Sequence, residues 1–233
     1  MNKKTQEKIL ELVKKNYDSI ASDFDQTRKG LQWAELTEVA KQVAENDHVL
    51  DAACGNGRLL EEFKDKKINY LGVDNSIELI NCAQKNYPEK KFQIDDLLLM
   101  DSVKNNSFDW VFCIAALHHL PGGDLRLKVL QSLKGKMNDH GKLVISVWRP
   151  EKNKKFLKAQ RRNFWQKIFF LSPLDFGDAI FEWGGKLENQ EDGLRYYHRF
   201  SEKELKKLIS KAELKIVKFY QDQYNFFAIL ERK

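Results

Sequence analysis

The chain has 233 residues, 42% hydrophobic and 12% aromatic, enough to bury one good-sized core. No run approaches the roughly eighteen apolar residues of a membrane span, and "MNKKTQEKIL" lacks the apolar stretch of a secretory leader, so a cytoplasmic protein that spans no membrane is expected. The net charge of +6 lies in one place, because residues 151–170 carry seven Lys or Arg against one Glu and the rest of the chain balances to zero.

In chain order, residues 5–17 read as a helix with Ile9, Val13 and Tyr17 four apart, and a second helix follows with Trp33, Leu36, Ala40 and Val43 on one face. "HVLDAA" (48–53) reads as a strand leading through a glycine turn into a helix from about Leu59. "YLGVD" (70–74) is a second strand, followed by a helix with Ser76 as N-cap. "KFQID" (91–95), "FDWVFCIA" (108–115) and "KLVISVW" (142–148) are three more, with a helix over 125–136 that Asp124 is placed to cap. Alternation of this kind predicts a parallel sheet with helices on both faces. Residues 201–211 open with Ser201 and Glu204 spaced as a capping box. "LKIVKFY" and "YNFFAILERK" are then joined by only "QDQ", which permits an antiparallel hairpin and no crossover helix. The expected organisation is a single domain: N-terminal helices (1–46), a ligand-binding core (47–148), a basic and aromatic insertion (149–195), and a late helix with the hairpin (196–233). Cys54, Cys82 and Cys113 are odd in number and lack zinc spacing, so buried, reduced thiols and no metal site are expected.

The turn "DAACGNGRLL" (51–60) lacks the third small residue of a dinucleotide fingerprint, since Leu60 stands there. It carries Asp51 four residues before Gly55, with Gly57 following. An acid at a strand end attracts an ammonium group and repels pyrophosphate, while the glycines let a ligand lie close to the backbone. Asp74, with Asn75 beside it, ends the second strand, where a carboxylate can accept both hydroxyls of a ribose. Asp95 or Asp96 ends the third, within reach of an adenine amino group. Acids at three successive strand tips describe a pocket for S-adenosylmethionine.

The chain therefore resembles the class I S-adenosylmethionine-dependent methyltransferases, whose Rossmann-like α/β fold is a seven-stranded, mostly parallel sheet ending in an antiparallel hairpin. "YDSIASDFDQTR" (17–28), "CIAALHHL" (113–120), "LVISVW" (143–148) and "RYYHRFSEKEL" (195–205) are similar to the wobble-uridine tRNA carboxymethyl methyltransferases, free-standing or fused to an AlkB-type hydroxylase. The resemblance implies esterification of a carboxymethyl group on C5 of a tRNA wobble uridine, and a small zinc-binding activator protein as a possible partner. A carboxylate is already ionised at neutral pH, so it needs in-line positioning and no general base. Arg28 and Arg195 are the candidate clamps, with His118 beside the acceptor. Tyr17, Arg28, Asp51, Gly55, Gly57, Asp74, Asn75, Asp95, Asp96 and Ala115 are the candidate cofactor residues. Trp148, Tyr197, His198 and the basic Lys154, Lys155, Arg161 and Arg162 are candidates for holding the substrate tRNA. Two other readings stay open: a small-molecule O- or C-methyltransferase, and a catalytically silent cofactor-binding subunit.

Overall fold

The computed structural model describes residues 1–30, 33–182 and 193–233. Its N-terminal part is three helices, α1 (Lys3–Ser19), α2 (Ala21–Arg28) and α3 (Ala34–Ala40). The core follows as β1 (His48–Ala52), β2 (Asn69–Asp74), α4 (Ile77–Asn86), β3 (Lys91–Ile94), β4 (Phe108–Ile114), α5 (Gly123–Lys136) and β5 (Met137–Trp148). Then come α6 (Lys154–Ile168), β6 (Asp178–Glu182), β7 (Leu194–His198), α7 (Glu202–Lys211), β8 (Leu214–Gln221) and β9 (Asn225–Arg232). Seven strands form one sheet in the order β3-β2-β1-β4-β5-β9-β8, parallel through β5 and antiparallel at β9 and β8. β6 and β7 pair in a separate antiparallel ribbon.

The sheet is covered on both faces, as buried parallel strands require. Its two-residue period sorts neighbours to opposite sides. Leu50, Cys113, Ile145 and Ala228 meet α5 and α7 through Val129, Leu133 and Ile209. Val49, Phe112, Val144 and Phe227 meet Leu36, Val39, Leu59 and Phe63. The order reverses between β1 and β4, and in open α/β sheets the ligand crevice opens beyond the strand ends at such a reversal.

Several local expectations are corrected. The second N-terminal helix is the short α3, with Trp33 and Val43 outside its ends, an additional helix, α2, precedes it, and the helix expected after the turn is a 3-10 helix, Arg58–Phe63. Asp124 does not cap α5; it lies in the first turn and accepts a hydrogen bond from Gln6 Nε2 at 2.7 Å. Ser201 does cap α7, accepting from Glu204 N at 3.2 Å, but the Glu204 carboxylate turns to His198 instead of closing the box. Ser76 caps α4 as expected. Cys54 and Cys113 are buried and Cys82 is partly exposed, all three unpaired. The boundary expected at residue 195 falls inside β7, and residues 183–192 of the expected insertion lie outside the described residues.

Candidate active site

A cavity of about 590 Å³ opens where the sheet order reverses, at the C-terminal ends of the parallel strands. One wall is acidic. Asp51, at the end of β1, is 2% exposed and accepts a hydrogen bond from Tyr70 Oη at 2.8 Å. Burial pushes its carboxyl up to about 7, against the pull of Tyr70. Asp74, at the end of β2, accepts from Gly55 N and Ser76 N, each at 2.9 Å, and also from Asn75 N, and a carboxylate with about four acceptor sites keeps room for a ligand. Loss of solvent raises its carboxyl above the ordinary range while those backbone donors hold it down. Beyond β3, Asp95 accepts from Asp96 N at 2.7 Å and from Ser102, so both its oxygens serve its own loop. Asp96 uses one oxygen, accepting from Leu98 N at 2.8 Å. Both acids line the cavity, as does Asn75.

Two alanines mark the crevice floor. Ala53 and Ala115 follow β1 and β4, line the cavity, and hold φ of 63° and 55°. A side chain in that region costs of order 1 kcal/mol or more, a strain that gathers at functional sites. The two glycines divide their tasks. Gly55 lines the cavity. Gly57 does not: a Cβ there would meet Phe92 Cζ and Tyr87 Cδ2 at 3.1 Å, so this position packs the turn onto β3 and α4 rather than admitting a ligand.

The N-terminal helices close the acidic wall, which gives "YDSIASDFDQTR" a physical meaning. Asp18 and Asp25 anchor it: Ser76 Oγ donates to Asp18 at 2.6 Å, and Asn56 Nδ2 and Asn86 Nδ2 donate to Asp25 at 2.9 and 2.7 Å. Tyr17, Phe24 and Arg28, spaced seven and four apart, are thereby presented to the cavity.

The opposite wall is aromatic and cationic. On β7, Arg195 and Tyr197 line the cavity, while Tyr196 and His198 point the other way. His198 sits between Asp178 (2.7 Å) and Glu204 (2.8 Å), beside the buried Arg126, so it fixes the strand from behind and lies outside the cavity. Arg195 donates to the Tyr197 hydroxyl, which is hydrogen-bonded to that of Tyr17. Trp148 lies beside Tyr197, ring centroids 4.8 Å apart.

The paired histidines lie between these walls on a 3-10 turn, Leu117–His119. His118 Nδ1 accepts from Trp148 N at 3.1 Å, so in the neutral ring the proton is on Nε2. His119 Nδ1 faces the Tyr196 carbonyl at 3.3 Å and must carry a proton, leaving Nε2 to accept from Tyr17 Oη at 2.8 Å. Burial holds His119 down to about 3, and burial together with its two histidine neighbours takes His118 well below the ordinary range. Both rings are neutral, and neither offers a free basic nitrogen.

Arg28 and Arg195 thus line the cavity with the acids, whereas the basic residues of α6 stand apart. Lys154 and Arg161 edge a different groove, and Lys155 and Arg162 lie on the exposed face of that helix. Residues not singled out from the sequence also line the cavity. Arg58 stacks over Trp33 at 4.1 Å and is lowered to about 10 by burial and by the nearby Arg28. Asn56 keeps its Oδ1 buried without a partner, and the β8–β9 loop brings in Asp222 and Tyr224. Arg58 and Asn56 sit within the glycine turn, so their positions were readable; the loop carries no such signal.

A buried, orphaned acceptor and unfilled carboxylate lone pairs suit a cationic ligand rich in hydroxyl and amino donors. A family profile described as "Methyltransferase domain" matches residues 49–141, which hold the acid tips and the glycine turn. The fold matches the crystal structure of an S-adenosylmethionine-dependent methyltransferase from Methanosarcina mazei, with a TM-score of 0.69 at 19% identity over 84% of this chain and 96% of that one. Residues 49–141 thus match a methyltransferase domain, and the chain shares the fold of the S-adenosylmethionine-dependent methyltransferases. In sequence the chain is similar to two curated proteins named tRNA (carboxymethyluridine(34)-5-O)-methyltransferase. The Saccharomyces cerevisiae protein is 33% identical over 61% of this chain and 50% of its own length. The Schizosaccharomyces pombe protein is 26% identical over 95% of this chain and 96% of its own. The chain thus spans half the length of one of these curated relatives and nearly all of the other.

Proposed function

We propose that this protein methylates a carboxylate, the carboxymethyl group on C5 of a tRNA wobble uridine, to give the methyl ester. The carrying observation is the pairing of a cationic wall with two histidines that have no proton-accepting capacity to spare. A hydroxyl or phenol acceptor would need its proton removed, and the site has no histidine base for that. A carboxylate has no proton to lose at neutral pH. The names of the relatives support the particular acceptor.

S-adenosylmethionine supplies, when bound, an electrophilic methyl group on a positively charged sulfur. The acids do the holding: Asp74 for the ribose hydroxyls, Asp96 for the adenine amino group through its free oxygen, and Asp51 for the ammonium end. On the other side Arg195 and Arg28 clamp the acceptor carboxylate, and a planar guanidinium fixes its orientation as well as its place. Tyr17 and Tyr197 brace Arg195, and Trp148 supplies an aromatic edge for the uracil ring. Alignment and exclusion of water then supply the rate.

The test is incubation with labelled S-adenosylmethionine and tRNA, followed by nucleoside mass spectrometry. A methyl group on a wobble uridine that mild alkali removes is the expected product. An alkali-stable methyl on a ribose, ring carbon or small phenol would overturn the proposal.

A further inference from the structure

Helix α6 has two unlike faces. Phe156, Ala159 and Asn163 are buried, and Phe156 meets the cavity residue Trp148 edge-to-face at 5.9 Å. The outer face carries Lys154, Lys155, Lys158, Arg161 and Arg162, all exposed. The ion pairs of this region are Arg149–Glu151 at 2.8 Å and Lys167–Asp175 at 3.9 Å; the five outer cations have none among the described residues. Lys154, Lys158 and Arg161 fall on one edge of a groove of about 710 Å³ that continues to Phe164 and is bounded across by Gly177. At the end of that edge Phe164 and Trp165 are 46% and 55% exposed. They sit edge-to-face at 5.7 Å, and Phe164 is steadied by Phe176, also at 5.7 Å.

We propose that this groove binds a single-stranded segment of RNA, with phosphates on Lys154, Lys158 and Arg161 and bases against Phe164 and Trp165. Three cations at steps of four and three residues run along about 10 Å of helix, a rod of charge suited to a phosphate backbone. Held rings at the end of such a rod are stacking platforms. A bilayer is flat, and it would engage the exposed Phe169, Phe170 and Leu171 beyond the helix instead of a concave groove. Helix α6 carries Phe156 against the cavity residue Trp148 and the groove's cations on another side, so groove and cavity are neighbours across this helix. The groove therefore takes the RNA flanking the modified base. This inference rests on the RNA reading above.

The experiment measures binding of an anticodon stem-loop RNA to the whole protein between about 50 and 200 mM salt. Lys154→Gln/Lys158→Gln/Arg161→Gln is expected to weaken binding on the order of 10- to 100-fold and to flatten the slope of log affinity against log salt by about 2, at roughly 0.7 per released charge. Phe164→Ala/Trp165→Ala is expected to weaken it about 10-fold and leave the slope unchanged, because stacking releases no counterions. Melting temperature and S-adenosylhomocysteine affinity report that each variant is folded. Parental affinity and slope in the triple variant would overturn the groove, as would an equal loss for a blunt RNA duplex, or binding lost to anionic lipid vesicles with stem-loop binding intact. Parental protein that binds the stem-loop through the groove yet transfers no methyl would instead sink the proposed reaction and leave the groove standing.

Discussion

The two walls of the cavity differ in how the chain builds them. The acidic wall is local: the sheet register places Asp51 and Asp74 at the ends of β1 and β2, and Asp96 follows two residues after β3. The cationic wall is assembled from afar, with Tyr17 from α1, Arg28 from α2, Trp148 from β5 and Arg195 and Tyr197 from β7. Under the proposed function, cofactor binding falls to the core of the sheet and acceptor choice to segments brought in from outside it. A largely buried charged group lies behind the second wall. Arg126, Asp178, His198 and Glu204 must pin a ribbon that the main sheet does not hold.

If the walls have separate tasks, damage to each should appear in a different constant. The largest effect is expected at the cationic wall, where Arg195→Ala should lower kcat/KM about 100-fold, the worth of a lost charged hydrogen bond of ~3 kcal/mol. S-adenosylhomocysteine affinity, read by calorimetry, should stay within about twofold. Arg195→Lys should recover only part of the loss, because an ammonium cannot grip a carboxylate with two prongs. A parallel fall in cofactor affinity would erase the division of tasks.

At the acidic wall, Asp74→Ala should weaken cofactor binding about 10- to 100-fold, since two ribose hydroxyls lose their acceptor. Equal affinities for mutant and parent would remove that assignment. Asp51 sharpens the same side through pH. Its carboxyl, raised to about 7 by burial, is half protonated near neutrality, and a ligand ammonium favours the ionised form. Cofactor affinity should therefore fall as pH drops below 7, by up to about tenfold per unit, and level off above it. Asp51→Asn should abolish that slope; a slope that survives belongs to another group. The smallest effect is expected between the walls, where His118→Asn should change kcat by less than about tenfold. Removal of a general base costs about 100- to 10,000-fold, so a loss of that size would assign one.

The contrast also explains what could be read from the sequence. Strand-tip acids, the glycine turn and the short link before β9 are local features, and the sheet with its terminal hairpin follows from them. The alternation in "RYYH" puts Arg195 and Tyr197 on one side of β7, but nothing in those four residues says that His198 faces Asp178 and Glu204. Gly57 looked equivalent to Gly55 because its reason, the rings of Phe92 and Tyr87, arrives from elsewhere in the chain. The helix expected after the turn is present as a short 3-10 segment, Arg58–Phe63. Asp124 was legible as a cap by type and position, and was diverted by Gln6 of α1.

The most direct test is the pH profile of kcat at saturating cofactor and tRNA, from about pH 6 to 9. An acceptor ionised since about pH 4 predicts a flat line across that range. A tenfold rise per pH unit, ending in a plateau, would reveal a proton that must leave before the methyl arrives, and would contradict esterification of a carboxylate.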